Sequence, residues 1–163
     1  MSSINTIPVN LSNYLSNTKT NSKKLVSDIE ALYKETDGDK VTVDTAEKFV
    51  EYYNKIIKDN SSYDDDGLKA LTTKMKSIAK GKSSALSSLG ITIASSGKLI
   101  LDKATLKTAV SEGDFSEFVS SNEDSGGLFD YMQQIANKLK KDNTYYLSST
   151  AKKIVKNAVD TYA

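Results

Sequence analysis

Apolar positions fall at helical spacing along most of this chain and switch once to a short alternating stretch. Leu25, Ile29, Leu32 and Tyr33 stand at i, i+4, i+7 and i+8, which predicts an amphipathic helix from about Ser22 to Glu35. Gly38 supplies its stop. Asp44 followed by Glu47 suits a capping-box-like start, and Ala46, Phe49, Tyr53, Ile56 and Ile57 then share one face of a second helix. Val41-Thr42-Val43 ahead of it reads as extended. Beyond the polar run DNSSYDDDG, Leu68, Leu71, Met75 and Ile78 mark a third helix that Gly81 ends. Leu86 and Leu89 fit one short turn of helix closed by Gly90.

At that glycine the pattern changes. Ile91-Thr92-Ile93, a turn at Ala94-Ser95-Ser96-Gly97, and Leu99-Ile100-Leu101 predict a β-hairpin over 91–101. Asp102 is placed to cap a helix running to about Ser111, with Leu106, Ala109 and Val110 inward. A second capping-box-like pair, Asp114 and Glu117, precedes Phe118 and Val119, and the run SSNEDSGG reads as a loop. Leu128, Met132, Ile135 and Leu139 then define a helix from about Leu128 to Lys141. Ala151, Ile154, Val155, Ala158 and Tyr162 define a last one, from about Ser148 to Tyr162, expected to dock on its own bundle. Residues 1–21, dense in Ser, Asn and Thr, are expected to form a flexible polar arm, and 22–163 a single helical domain. The fold class is therefore mainly α with a small β-hairpin, an α+β helical bundle.

Composition narrows the chemistry more by what is missing than by its averages. The chain has no His, no Cys and no Trp, and all 22 basic residues are Lys. Disulfides, thiolate nucleophiles and the usual zinc ligands are thereby excluded. Loss of His also removes the commonest acid–base group near neutral pH, leaving only Ser–Lys or paired-carboxylate catalysis, for which no motif singles out a residue. No catalytic, cofactor or metal residue is expected. Net charge is +1, and without Arg there is no bidentate reader of phosphate or guanine, which argues against nucleic acid. No apolar run is long enough for a transmembrane segment. The N-terminus lacks the charged start and apolar stretch of a cleaved signal.

Two segments imitate ligand sites. Placing Gly67 at the glycine of a calcium loop puts Asp64 and Asp66 at oxygen-ligand positions. The first and twelfth positions are then Ser62 and Thr73, where the strongest ligands belong, so a solvated turn and helix N-cap is the better reading. Lys80-Gly81-Lys82-Ser83 resembles the tail of a phosphate loop, but Lys76 stands where the first glycine is required and no strand precedes it. Tyrosine pairs are the remaining feature. Tyr52, Tyr145 and Tyr146 are candidate protein-interaction residues, because a tyrosine combines a large ring with a polar tip.

The run Phe49-Val50-Glu51-Tyr52-Tyr53-Asn54-Lys55-Ile56-Ile57 resembles the FV-x-AYN-x-L/I helix in the C-terminal region of the flagellar filament-capping (hook-associated protein 2) family. Tyr52 stands where the family carries a small residue. Ser87-Ser88-Leu89-Gly90-Ile91-Thr92-Ile93, Ser96-Gly97-Lys98-Leu99-Ile100-Leu101-Asp102 and Leu106 are similar to the family's LxxIGIT…dGkLxLDxxxLxxAL stretch. Gly127-Leu128-Phe129 before an amphipathic helix is similar to the family's following GL helix. The ordered set spans residues 44–141. The family's outer domains and long terminal coiled-coil helices have no counterpart in this sequence, which suggests a stand-alone inner domain.

The resemblance implies a structural, non-enzymatic flagellar component. It would be a cap-like or cap-associated module contacting flagellin or hook–filament junction proteins, able to form a homo-oligomer, and exported to the cell exterior. The alternative is a non-catalytic binding or adaptor module that reuses the inner-domain fold outside the cap.

Overall fold

The computed structural model describes residues 6–38, 41–121 and 127–162, with side chains through residue 158. Its elements are α1 (Val9–Asp37), α2 (Val43–Ser61), α3 (Asp66–Lys80), α4 (Ser83–Ser88), β1 (Ile91–Ile93), β2 (Leu99–Leu101), α5 (Lys103–Ser111), α6 (Asp114–Ser120), α7 (Leu128–Lys141) and α8 (Ser149–Tyr162). The described chain is thus mainly helical with one two-stranded antiparallel hairpin. Among the described residues no helix is long and apolar enough to cross a membrane.

The long first helix corrects the expectation of a flexible arm over 1–21. From Val9 onward that segment is helix; residues 1–5 lie outside the described residues. Its buried positions are Leu11, Tyr14, Thr18, Ser22, Leu25, Val26, Ile29 and Leu32. Without Val26, each step between them is three or four residues over the whole helix, which keeps one stripe turned inward. Thr18 and Ser22 interrupt that stripe chemically but not sterically. Each is fully buried, and the Ser22 hydroxyl donates back to the Lys19 carbonyl. Ser22, bonded to its own helix, thereby occupies the helix interface without an unpaired donor.

α1 lies against α2 and α7. The main core is built where they meet: Leu25, Ile29 and Leu32 from α1, Phe49, Tyr53 and Ile56 from α2, and Phe129, Met132 and Ile135 from α7. The Phe49 and Phe129 rings meet edge-on with centroids 4.9 Å apart, and Phe118 of α6 joins Phe129 at 5.8 Å. Such edge contacts add to the burial of the rings. At the rim, the Tyr33 hydroxyl of α1 donates to the Asp130 carboxylate of α7.

A second cluster lies at the other end of α1. Leu11 and Tyr14 pack there with Leu68 at the start of α3, with Leu147, and with Ala151 of α8. The last helix is therefore docked on the bundle through the very segment expected to be free. Tyr146, half-buried, packs against both clusters.

Helix starts differ in detail from the sequence expectation. α2 is capped by Thr42, whose hydroxyl accepts from the Thr45 N–H, and Asp44 sits inside the first turn, paired with Lys48 at 3.0 Å. Val43 is accordingly helical rather than extended. α6 begins at Gly113 in a left-handed conformation with no side-chain cap, leaving Asp114 and Glu117 in the first turn, where the helix dipole favours them. The hairpin over 91–101, with Ile91 opposite Leu101 and Ile93 opposite Leu99, falls where the alternation placed it. So does the Asp102 cap, which accepts from the Ala104 and Thr105 N–H groups.

Candidate functional site

The hairpin is fastened to the helices through two unusual contacts. Asn54 of α2 is bonded on both sides to the backbone of Leu99: its Oδ1 accepts from the Leu99 N–H at 2.7 Å and its Nδ2 donates to the Leu99 carbonyl at 2.9 Å. A carboxamide presents the same donor–acceptor pair as a peptide group, so Asn54 acts as a one-residue extension of the sheet edge. At the opposite end, Gly90 has φ +84° and its carbonyl accepts from the Asp102 N–H at 2.7 Å. A Cβ there would lie 2.7 Å from the Asp102 carbonyl oxygen and 2.8 Å from the Leu106 nitrogen. Only glycine fits that position.

The Asp64-Asp65-Asp66-Gly67 run serves packing. The Asp65 carboxylate is buried and accepts three hydrogen bonds, from the Leu68 N–H, the Ser148 N–H and the Ser148 hydroxyl. Ser148 in turn accepts from the Ala151 N–H, so one carboxylate anchors the starts of α3 and α8 together. Gly67 allows this approach, since a Cβ on it would lie 2.2 Å from the Tyr146 carbonyl oxygen. The turn was expected to be a solvated helix N-cap: Asp65 caps α3 but is buried, while Asp64 and Asp66 are exposed, Asp64 in an ion pair with Lys69. Among the described residues no group of three or more acidic side chains could hold a metal ion.

A polar stripe separates the two clusters along α1. Burial pushes the Tyr14 hydroxyl well above the ordinary tyrosine value, and the nearby carboxylates of Asp59 and Asp65 add to the shift. Asp59, itself buried, accepts from Asn21 Nδ2 at 2.9 Å and is raised by burial to about 6. Asp28, half-buried on α1, is also raised to about 6 by burial, with the lysines at 48 and 24 opposing that rise.

The three tyrosines singled out from the sequence do not form one site. Tyr52 is half-buried at the edge of the main core, with Lys55 Nζ 4.5 Å from its ring centroid. It borders an open groove of about 570 Å³ between α1 and α2, lined also by Thr20, Lys24, Asp28, Lys48 and Glu51. The Tyr52 ring thus lies between the edge of the main core and this groove.

Tyr145 and Tyr146 sit together in the turn between α7 and α8, their rings edge-on at 4.9 Å. Tyr146 is the inner member, and burial raises its hydroxyl to about 12. Tyr145 is 43% exposed, with Lys138 Nζ 5.0 Å and Lys152 Nζ 5.9 Å from its ring centroid. Those two lysines were not singled out from the sequence. The signal was present in the density of lysines around the pair, but the convergence of two helices on one ring is a tertiary fact.

Compared with protein-family models, with curated proteins and with solved structures, the chain matches none.

Proposed function

We propose that the chain is a non-catalytic structural component of the bacterial flagellum, a cap-like or cap-associated module that binds flagellin or hook–filament junction proteins during filament assembly. One observation carries this reading. The segments that resemble the capping family, distant in sequence, close on one another through their own motif residues: Asn54 of the first on Leu99 of the second, and Gly90 on Asp102 and Leu106 within the second. A chance likeness of separate short runs gives no reason for those residues to hold each other. The Asp65 carboxylate, the Asn54 carboxamide and the Ser22 hydroxyl each hold a structural partner, which suits a scaffold.

Export to the cell exterior and assembly into a homo-oligomer belong to the same proposal. Gold-labelled antibody on intact cells and on thin sections of the source bacterium tests it. Label along or at the end of flagella supports the reading. Label confined to the cytoplasm would contradict it and favour an adaptor that reuses the fold. Sedimentation showing a strict monomer at high concentration would remove the oligomer from the proposal.

A further inference from the structure

We infer that the turn between α7 and α8 is a docking surface for an acidic segment of another protein, anchored on Tyr145. The inference rests on reading the chain as a protein-binding module and names the chemistry of the partner.

Charge is the first observation. Between residues 138 and 156 stand Lys138, Lys140, Lys141, Lys152, Lys153 and Lys156 against one acid, Asp142, in a chain whose net charge is only +1. All of these lysines are exposed. The ion pairs among the described residues lie elsewhere, at Lys48–Asp44 and Lys69–Asp64. Asp142 accepts from the Thr144 N–H and hydroxyl and so closes its own turn. Lys138 and Lys152, from two different helices, face a single ring. Like charges held close together favour an incoming anion.

Rigidity is the second. The Asn143 side chain donates to the Leu15 carbonyl of α1, fixing the turn to the bundle, and the Leu147 N–H donates to the Thr144 carbonyl. Tyr146 buttresses Tyr145 from beneath. An exposed ring held in one place loses little entropy on binding, the usual condition of an anchor residue.

The same features discriminate among polyanions. The chain lacks arginine, which bidentate phosphate recognition favours, and Tyr145 is the one large exposed apolar side chain on this turn, too little for insertion into a bilayer. Carboxylates interspersed with an apolar side chain match both the lysines and the ring.

The test uses fluorescence anisotropy of a labelled peptide in which glutamates flank a central Leu-Phe pair, with its glutamine counterpart as control. The intact chain is expected to bind the acidic peptide and not the control. The double reversal K138E/K152E should weaken binding roughly tenfold or more, while K103E/K107E on α5, which changes net charge equally, should leave it nearly intact. Y145A should weaken it and Y145F should not. Amide shifts in the unmodified chain should centre on residues 138–153, a readout that needs no variant. Equal loss in both reversal pairs, no binding by the intact chain, or tighter binding of single-stranded RNA or phosphatidylserine vesicles to this patch would each overturn the inference. Occupation of the patch by a second copy, seen as self-association abolished by K138E/K152E, would overturn it too. Flagellin binding that survives K138E/K152E would remove this surface and leave the proposed function standing.

Discussion

The Asn54 carboxamide is hydrogen-bonded to both backbone groups of Leu99, so a single side chain on α2 completes the outer edge of β2. A hairpin of three-residue strands has little stability of its own, and this joint ties it to the main core. Asn54→Ala leaves a partly buried N–H and carbonyl without partners and should destabilise the chain by about 1–3 kcal/mol in urea unfolding. Asn54→Asp keeps the acceptor, loses the donor and should be nearly as damaging. Hydrogen exchange at the Leu99 amide should quicken in both. Unchanged exchange there would show that the hairpin holds without this joint.

The acidic turn yields a second prediction. Asp65→Ala removes the shared anchor of α3 and α8 and should lower stability by about 1–3 kcal/mol, with exchange rising first in α8. Gly67→Ala forces a Cβ into the backbone of residues 146–148 and should cost about 1–3 kcal/mol or more. Because Asp65 is committed to Ser148, added calcium should leave Tm where it is. A calcium-dependent rise would contradict the packing role of this turn.

Asp59 gives a pH dependence. Its carboxyl titrates near 3.8 when free and about 6 in the folded protein, so between these values the folded state keeps a proton that the unfolded chain has released. Its contribution to stability is full below about 3.8 and is lost as pH rises through about 6. The difference is on the order of 2–3 kcal/mol. Asp28 shifts in the same direction. Asp59→Asn should therefore be more stable than the parent at pH 7 and about equal at pH 4. A parent whose stability rises between pH 4 and 7 as steeply as its Asn variant's would contradict the burial of this charge.

The first helix gives the fourth prediction. Leu11→Ala should destabilise the second cluster by about 2–5 kcal/mol and release α8, seen as fast exchange over residues 149–158. Independence of α8 from residue 11 would return the N-terminal segment to the status of an arm.

That segment also shows where the sequence was hard to read. α2, α3, α7, α8 and the hairpin each carry an unbroken apolar signal, and their placement follows from it. In α1 the inward stripe passes through Thr18 and Ser22, so an apolar count begins only at Leu25. Reading small polar residues as permitted in the stripe would have extended the helix to Leu11. The Asp102 cap was legible, but the Asp44 cap was not: Thr42 caps α2 although Asp is the stronger cap residue, and Glu35 of α1, which accepts from the Thr42 and Thr45 hydroxyls, holds Thr42 in that place. Of the candidate tyrosines, the sequence distinguishes neither the inner Tyr146 from the outer Tyr145 nor the lysines that converge on the latter, since that depends on how α7 and α8 meet.

We propose that this chain binds flagellar subunits. The most direct measurement is a titration of the purified, folded chain against purified flagellin and hook–filament junction proteins of the same bacterium, followed by calorimetry. Saturable binding to at least one of them, absent with an unrelated helical protein, is the predicted result. No binding to any of them, with the chain demonstrably helical, would contradict the account.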